Sequence, residues 1–121
     1  MKINPLFSVT VQRLFAIFFG DNPNRGETSP ALRRTIESFA ADLSRTGQAP
    51  ATIPPELDPY LRKVTLHAHK VTDEDIAALK AAGYSEEALF EITISAALGA
   101  GRTRLECGLA ALKEKESTYA T

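Results

Sequence analysis

The side chains that suggest proton transfer, anion binding or nucleophilic chemistry lie in the second half of this sequence. The two histidines are His67 and His69, and the one cysteine is Cys107. Histidine titrates near neutral pH and can transfer a proton, whereas a cysteine becomes a nucleophile once its thiol is deprotonated. Arg102 and Arg104 can bind a carboxylate, although pairing with a glutamate of the chain is the simpler interpretation. Acid–base chemistry and thiol chemistry are therefore both open.

Spacing argues against a metal centre in one copy of the chain. Helical residues that share a metal ion are typically four apart, and His67 and His69 are only two apart, so on a helix they point in different directions. One cysteine can form neither an intrachain disulfide nor an all-cysteine site. We therefore expect no metal and no cofactor, and a reducing compartment such as the cytoplasm.

Length and charge limit the remaining possibilities. The chain has 121 residues, 44% of them hydrophobic, which suits a single domain over residues 1–121. Its 14 Lys and Arg residues nearly balance 15 Asp and Glu, giving a formal charge of −1. Because the positive and negative charges nearly cancel, the chain has no large electrostatic potential of one sign. We therefore expect neither nucleic acid nor a membrane surface as a partner.

The N-terminal stretch Leu6–Phe19 is apolar but matches neither an anchor nor a signal peptide. It is too short to span a bilayer, polar residues interrupt it, and no small-residue cleavage pattern follows Gly20. Its apolar residues recur with helical spacing, which predicts a helix that needs cover on more than one side. The stripe consists of Val11, Leu14, Phe15 and Phe18.

The rest of the chain also reads as helices, so the predicted fold class is all-α, with about five helices and no sheet. Ser29, Thr72 and Ser85 are helix-capping residues that precede helical patterns, and Gly47 and Gly83 are typical helix ends. The predicted helices are Pro5–Phe19, Pro30–Thr46, Pro59–His69, Asp73–Ala82 and Glu86–Lys115.

Five of the six residues from Ala96 to Gly101, within the last of these helices, are alanine or glycine. Each glycine in a helix interior costs about 1 kcal/mol relative to alanine. Either a kink or the close approach of another helix would explain that cost. We favour close packing.

The segment from Val71 to Glu87, with the capping residues and the Gly83-Tyr84-Ser85 turn, resembles the C-terminal unit of alkylhydroperoxidase D-like proteins. That superfamily includes the carboxymuconolactone decarboxylases. Further similarity lies in Phe90-Glu91-Ile92 and in the residues from Ala96 to Leu105, and the resemblance covers about residues 60–112. It implies a helical bundle completed by oligomerisation.

The chain also departs from the redox members of that family. Those proteins carry a Cys-x-x-Cys pair with a nearby histidine and glutamate, and this sequence has no such pair. Cys107 lies beyond the position of that motif, and we expect it to be a small buried hydrophobic residue. The leading hypothesis is therefore a non-redox protein that acts by assembly or by binding a small ligand.

Two enzymatic alternatives remain. The decarboxylase members work without a cysteine pair, and this resemblance suggests an enzyme acting on a small carboxylic acid, with His67, Glu91 and Arg104 as the candidate catalytic residues. The other alternative is a thiol-dependent antioxidant that uses Cys107 from two subunits.

Three features predict a homo-oligomer, most simply built from two-fold dimers. The resembled family commonly packs such helical units in pairs. The N-terminal helix is apolar on too many sides for so short a chain to cover, and the Ala96–Gly101 segment invites another helix. A second copy would cover all of these surfaces.

Overall fold

A computed structural model describes residues 26–119 of the chain, with side chains up to residue 114. Within this range the chain forms four α-helices and no strand, so the predicted all-α class is confirmed. Two 3₁₀ turns, Pro55–Leu57 and Ala68–Lys70, lie before and after the second helix. The predicted helix Pro5–Phe19 lies outside the described residues. The four helices are α1 (Pro30–Thr46), α2 (Asp58–Leu66), α3 (Asp73–Ala81) and α4 (Glu86–Tyr119).

Helix caps account for the boundaries of α1. The Ser29 hydroxyl accepts a hydrogen bond from the Leu32 N–H, and Pro30 occupies the first turn, where no backbone donor is needed. At the other end Gly47 adopts φ 77° and donates its N–H to the Leu43 carbonyl. A left-handed residue at this position is inexpensive only for glycine.

Both ends of α3 and the start of α4 are formed by the predicted capping residues. The Thr72 hydroxyl accepts from the Asp75 N–H while the Asp75 carboxylate accepts from the Thr72 N–H, which forms a complete capping box. Gly83, with φ 107°, turns the chain after α3. Ser85 then caps α4 by accepting from the Ala88 N–H.

Two predicted helix ends differ from the structure by more than one residue. The helix predicted as Pro59–His69 ends at Leu66, because the backbone of His67 (φ −145°, ψ 56°) leaves the helical region and a 3₁₀ turn follows. The last helix continues past the predicted end at Lys115 to Tyr119.

The core lies where α1 packs along the first half of α4, with α2 against both. Its members are aliphatic and aromatic residues on the inner faces of these helices and on the 3₁₀ turn before α2. The most deeply buried are Ile36, Phe39, Leu43, Leu57, Leu61 and Ile92.

Gly99 explains the small-residue segment of α4. A Cβ atom on Gly99 would overlap the backbone carbonyl of Glu37 in α1, so the two helices approach at a distance that only glycine permits. Because α4 is continuous through this segment, close packing is confirmed over a kink. The partner is α1 of the same chain, so this segment does not argue for a second copy.

The second half of α4 extends beyond the core. Thr103 is buried, but every residue from Arg104 to Glu114 is exposed. Cys107 belongs to this exposed part, so the prediction that it is a buried hydrophobic residue is wrong. The reason is that no described element packs against α4 at this level.

Candidate functional site

Glu91 on α4 is a completely buried carboxylate. Its oxygens accept hydrogen bonds of 2.9 Å from the backbone N–H groups of Glu27 and Thr28, and one of 2.6 Å from the Thr28 hydroxyl. The Arg33 guanidinium, itself buried, lies 3.5 Å from Glu91 Oε1. A charge removed from water is tolerated only when it is paired and hydrogen-bonded, and Glu91 meets both conditions.

This buried cluster attaches residues 26–28 to both long helices. Arg33 on α1 also donates hydrogen bonds to the carbonyl and the hydroxyl of Thr28. Gly26 packs so closely that an added Cβ would lie 2.7 Å from Glu91 Oε1 and 2.8 Å from Arg33 Nη1. The packing leaves little room for a substrate beside the carboxylate. The cluster therefore acts as a structural anchor for the loop before α1.

The other two candidate catalytic residues lie elsewhere. Arg104 donates to the Thr65 carbonyl over 3.3 Å, which places its guanidinium near the end of α2. His67 follows two residues after Thr65 and is exposed, with its ring centroid 6.2 Å from that of His69 in an edge-to-face arrangement. The structure thus places Arg104 and His67 in the same region of the molecule.

Glu91 is remote from that region. It lies 13 residues before Arg104 on the same helix, which corresponds to about 20 Å along the helix axis at 1.5 Å per residue. Its carboxylate contacts the loop before α1 rather than α2. The structure therefore does not assemble Glu91, His67 and Arg104 around one point.

The structure gives Arg102 acidic partners. Its Nη1 lies 2.6 Å from Glu37 Oε1 on α1, and its Nε lies 3.9 Å from Glu106 Oε1 one turn later. Pairing with a glutamate of the chain was anticipated from the sequence, whereas Glu37 as the nearer partner was not. Among the described residues, no group of three or more His, Cys, Asp or Glu side chains could hold a metal ion.

A cleft of about 290 Å³ lies between α2, α3 and α4. This volume is at the lower end of the roughly 300–1,000 Å³ range typical of small-molecule pockets. Its walls are mostly apolar, with one carboxylate and two hydroxyl-bearing residues. The lining residues are Tyr60, Ile76, Glu86, Leu89, Phe90 and Thr93.

Two hydroxyl groups of this cleft form a hydrogen-bonded pair with a defined direction. The Tyr60 hydroxyl lies 2.7 Å from the Thr93 hydroxyl. Thr93 has a single hydroxyl proton and donates it to the Leu89 carbonyl over 2.7 Å, since a carbonyl can only accept. Tyr60 must therefore be the donor to Thr93, and its oxygen keeps its remaining acceptor capacity.

Sequence reasoning only partly identified these residues. The helical spacing of Tyr60, Leu61 and Val64 predicts that Tyr60 faces inward, which its burial confirms, but it links neither Thr93 nor Glu86 to Tyr60. The available signal was weak: Thr93 lies one helical turn after Leu89, on the side of α4 that faces α2. For Arg33 and Thr28 there was no signal, because their shared contact with Glu91 joins residues about 60 positions apart.

Comparisons of the chain with models of known families, with curated proteins and with solved structures found no match. Across residues 26–119, no helix is both long enough and apolar enough to cross a membrane.

Proposed function

We propose that this chain is a non-redox, alkylhydroperoxidase D-like helical protein that forms two-fold homodimers and binds a small, largely apolar molecule in the cleft between α2, α3 and α4. The order of a short capped helix, a glycine turn and a long helix supports the family resemblance. The lack of a Cys-x-x-Cys pair in the sequence supports the non-redox assignment. Its single cysteine fits a cytoplasmic protein.

The direction of the Tyr60–Thr93 hydrogen bond carries the ligand proposal. Because Tyr60 gives its proton to Thr93, the phenol oxygen offers the cleft an acceptor and no donor. Glu86, the charged residue of the lining, adds a carboxylate. Both groups favour a ligand that donates hydrogen bonds, such as an alcohol or an amine with an apolar body.

A small carboxylic acid is the less favoured ligand for this cleft, since its charge would meet that of Glu86. The exposed arginines are the natural binders of such an acid. Arg102 already contacts Glu37, and Arg104 donates to the Thr65 carbonyl. A carboxylate would have to compete with both of these interactions.

Titration with benzylamine, benzyl alcohol and benzoate, followed by amide chemical shifts, tests the ligand proposal. We expect saturable shifts around Tyr60 and Thr93 with the amine and the alcohol, and weaker ones with benzoate. Ile76→Trp, which fills the cleft, should abolish these shifts. Gln48→Ala, in a separate surface cleft near Pro50, should leave them unchanged. The proposal fails if benzoate shifts the cleft residues most, or if Ile76→Trp has no effect.

A further inference from the structure

An exposed row of leucines follows one side of the second half of α4. Leu105, Leu109 and Leu112 have exposed fractions of 61%, 49% and 60%. They are spaced four and three residues apart, so on a helix they lie on one face. We refer to these residues as the leucine seam.

This half of α4 lacks cover from the described part of the chain. The 16 residues from Arg104 to Tyr119 form a helix whose described side chains are all exposed. Most of the stability of a helix in a protein comes from packing its apolar face and not from intrinsic helix propensity. The leucine seam therefore requires an apolar partner.

The charged residues beside the leucine seam would meet residues of opposite charge in a second copy of the chain that runs antiparallel to the first. Beside the three leucines, Glu106 near one end and Lys113 near the other carry opposite charges. In a second copy running the opposite way, centred on Leu109, the order reverses. The positively charged position of one chain then meets the negatively charged position of the other at both ends.

The positions of these two charges set the antiparallel register. Glu106 and Lys113 are seven residues apart and flank the leucine seam on the same side. In the antiparallel pair centred on Leu109, Glu106 of one chain lies at the level of Leu112 of the other, one residue or about 1.5 Å along the axis from Lys113, and the two-fold axis repeats the pair. In a parallel pair Glu106 would instead face Glu106 of the other chain, and Lys113 would face Lys113. Both contacts place like charges opposite one another, which is unfavourable.

From this complementarity we infer that two copies of the chain pair through their leucine seams, with the second halves of α4 antiparallel and a two-fold axis near Leu109. The inference rests on the proposed homodimer and names its contact surface. The proposed contact surface is thus the leucine seam and not the Ala96–Gly101 segment, because the Glu37 backbone of the same chain already packs against Gly99. Apolar contact provides the affinity, and the flanking charges set the direction.

Light scattering and sedimentation of the full chain at micromolar concentration provide the first test. We expect the wild type to be a dimer and Leu109→Glu to raise the dissociation constant at least a hundredfold. Cys107→Glu is the matched control, because it adds the same charge to an exposed position of α4 on the opposite side from the leucine seam. Circular dichroism should be unchanged in Cys107→Glu, whereas Leu109→Glu should lose no more than the helical signal of the second half of α4, which its partner no longer covers.

Charge exchange tests the antiparallel register. Glu106→Lys and Lys113→Glu alone should each weaken the dimer about tenfold, because each places like charges opposite one another twice. The double variant Glu106→Lys/Lys113→Glu should restore the wild-type dissociation constant. Failure of the double variant to restore it would overturn the antiparallel arrangement.

The outcomes separate this inference from the proposal on which it rests. A wild type of monomer mass would overturn both the homodimer and its seam. A wild-type oligomer that Leu109→Glu leaves intact would overturn the leucine seam alone, and the proposed homodimer would stand with a different contact surface.

Discussion

The hydroxyl of Tyr84 donates a 2.6 Å hydrogen bond to Oε1 of Glu56 and so connects the turn before α4 to the 3₁₀ turn before α2. Burial and the neighbouring Glu56 carboxylate raise the pKa of Tyr84 to about 12, and the same bond lowers the pKa of Glu56. The contact thus favours a neutral phenol beside an ionised carboxylate.

This contact predicts a loss of stability at high pH. The pKa of Tyr84 is raised on folding, so its contribution is fully present below the ordinary value of 10 and is lost as the pH rises through about 12. The difference in tyrosinate absorbance between wild type and Tyr84→Phe should have its midpoint near 12. Glu56→Gln should lower that midpoint, because the carboxylate charge is removed. A midpoint at the ordinary value would contradict the assignment.

The buried cluster at Glu91 predicts a large effect of a small chemical change. Glu91→Gln keeps the shape of the side chain but leaves the buried Arg33 without its counter-charge, which should lower the free energy of unfolding by about 3–5 kcal/mol. Denaturant melts provide the measurement, with Glu106→Gln as an exposed control expected to change stability by less than about 1 kcal/mol. Equal effects of the two variants would show that the cluster is not an anchor.

Gly99 and Gly101 form a matched pair on α4. Gly99→Ala should destabilise the fold by about 1–3 kcal/mol or more, because the added methyl group meets the Glu37 backbone, which cannot rotate away. Gly101→Ala should instead stabilise the fold by up to about 1 kcal/mol, since nothing lies within 4 Å of its added Cβ and alanine favours the helix. Thermal melts that ranked the two variants in the opposite order would refute the close approach of α1.

Exposure of Cys107 leads to two expectations about thiol chemistry. The folded protein should react with a thiol reagent without denaturant, because the side chain is accessible. It should nevertheless show no dithiol-dependent peroxidase turnover, because one cysteine per chain provides no resolving partner. Turnover that disappears in Cys107→Ser would instead favour the antioxidant alternative, with thiols from two subunits.

The sequence by itself determined the features that depend on neighbouring residues. The boundaries of α1 were predicted correctly because Ser29, Pro30 and Gly47 act through bonds within one helical turn. Thr72 was identified as the cap of α3 for the same reason, and Asp75, three residues later, completes its capping box. The lack of a paired cysteine motif likewise needed only the order of residues.

Tertiary structure decided the features that depend on contacts between distant positions. Glu91 was chosen as a candidate catalytic residue on its chemistry alone. The tertiary structure shows that its carboxylate is hydrogen-bonded to Thr28 and paired with Arg33. Its position is about 20 Å along the helix from Arg104. Cys107 was wrongly predicted to be buried, because burial depends on how far the neighbouring helices extend. A helical pattern reveals which face of a helix is apolar, but what covers that face depends on the whole fold.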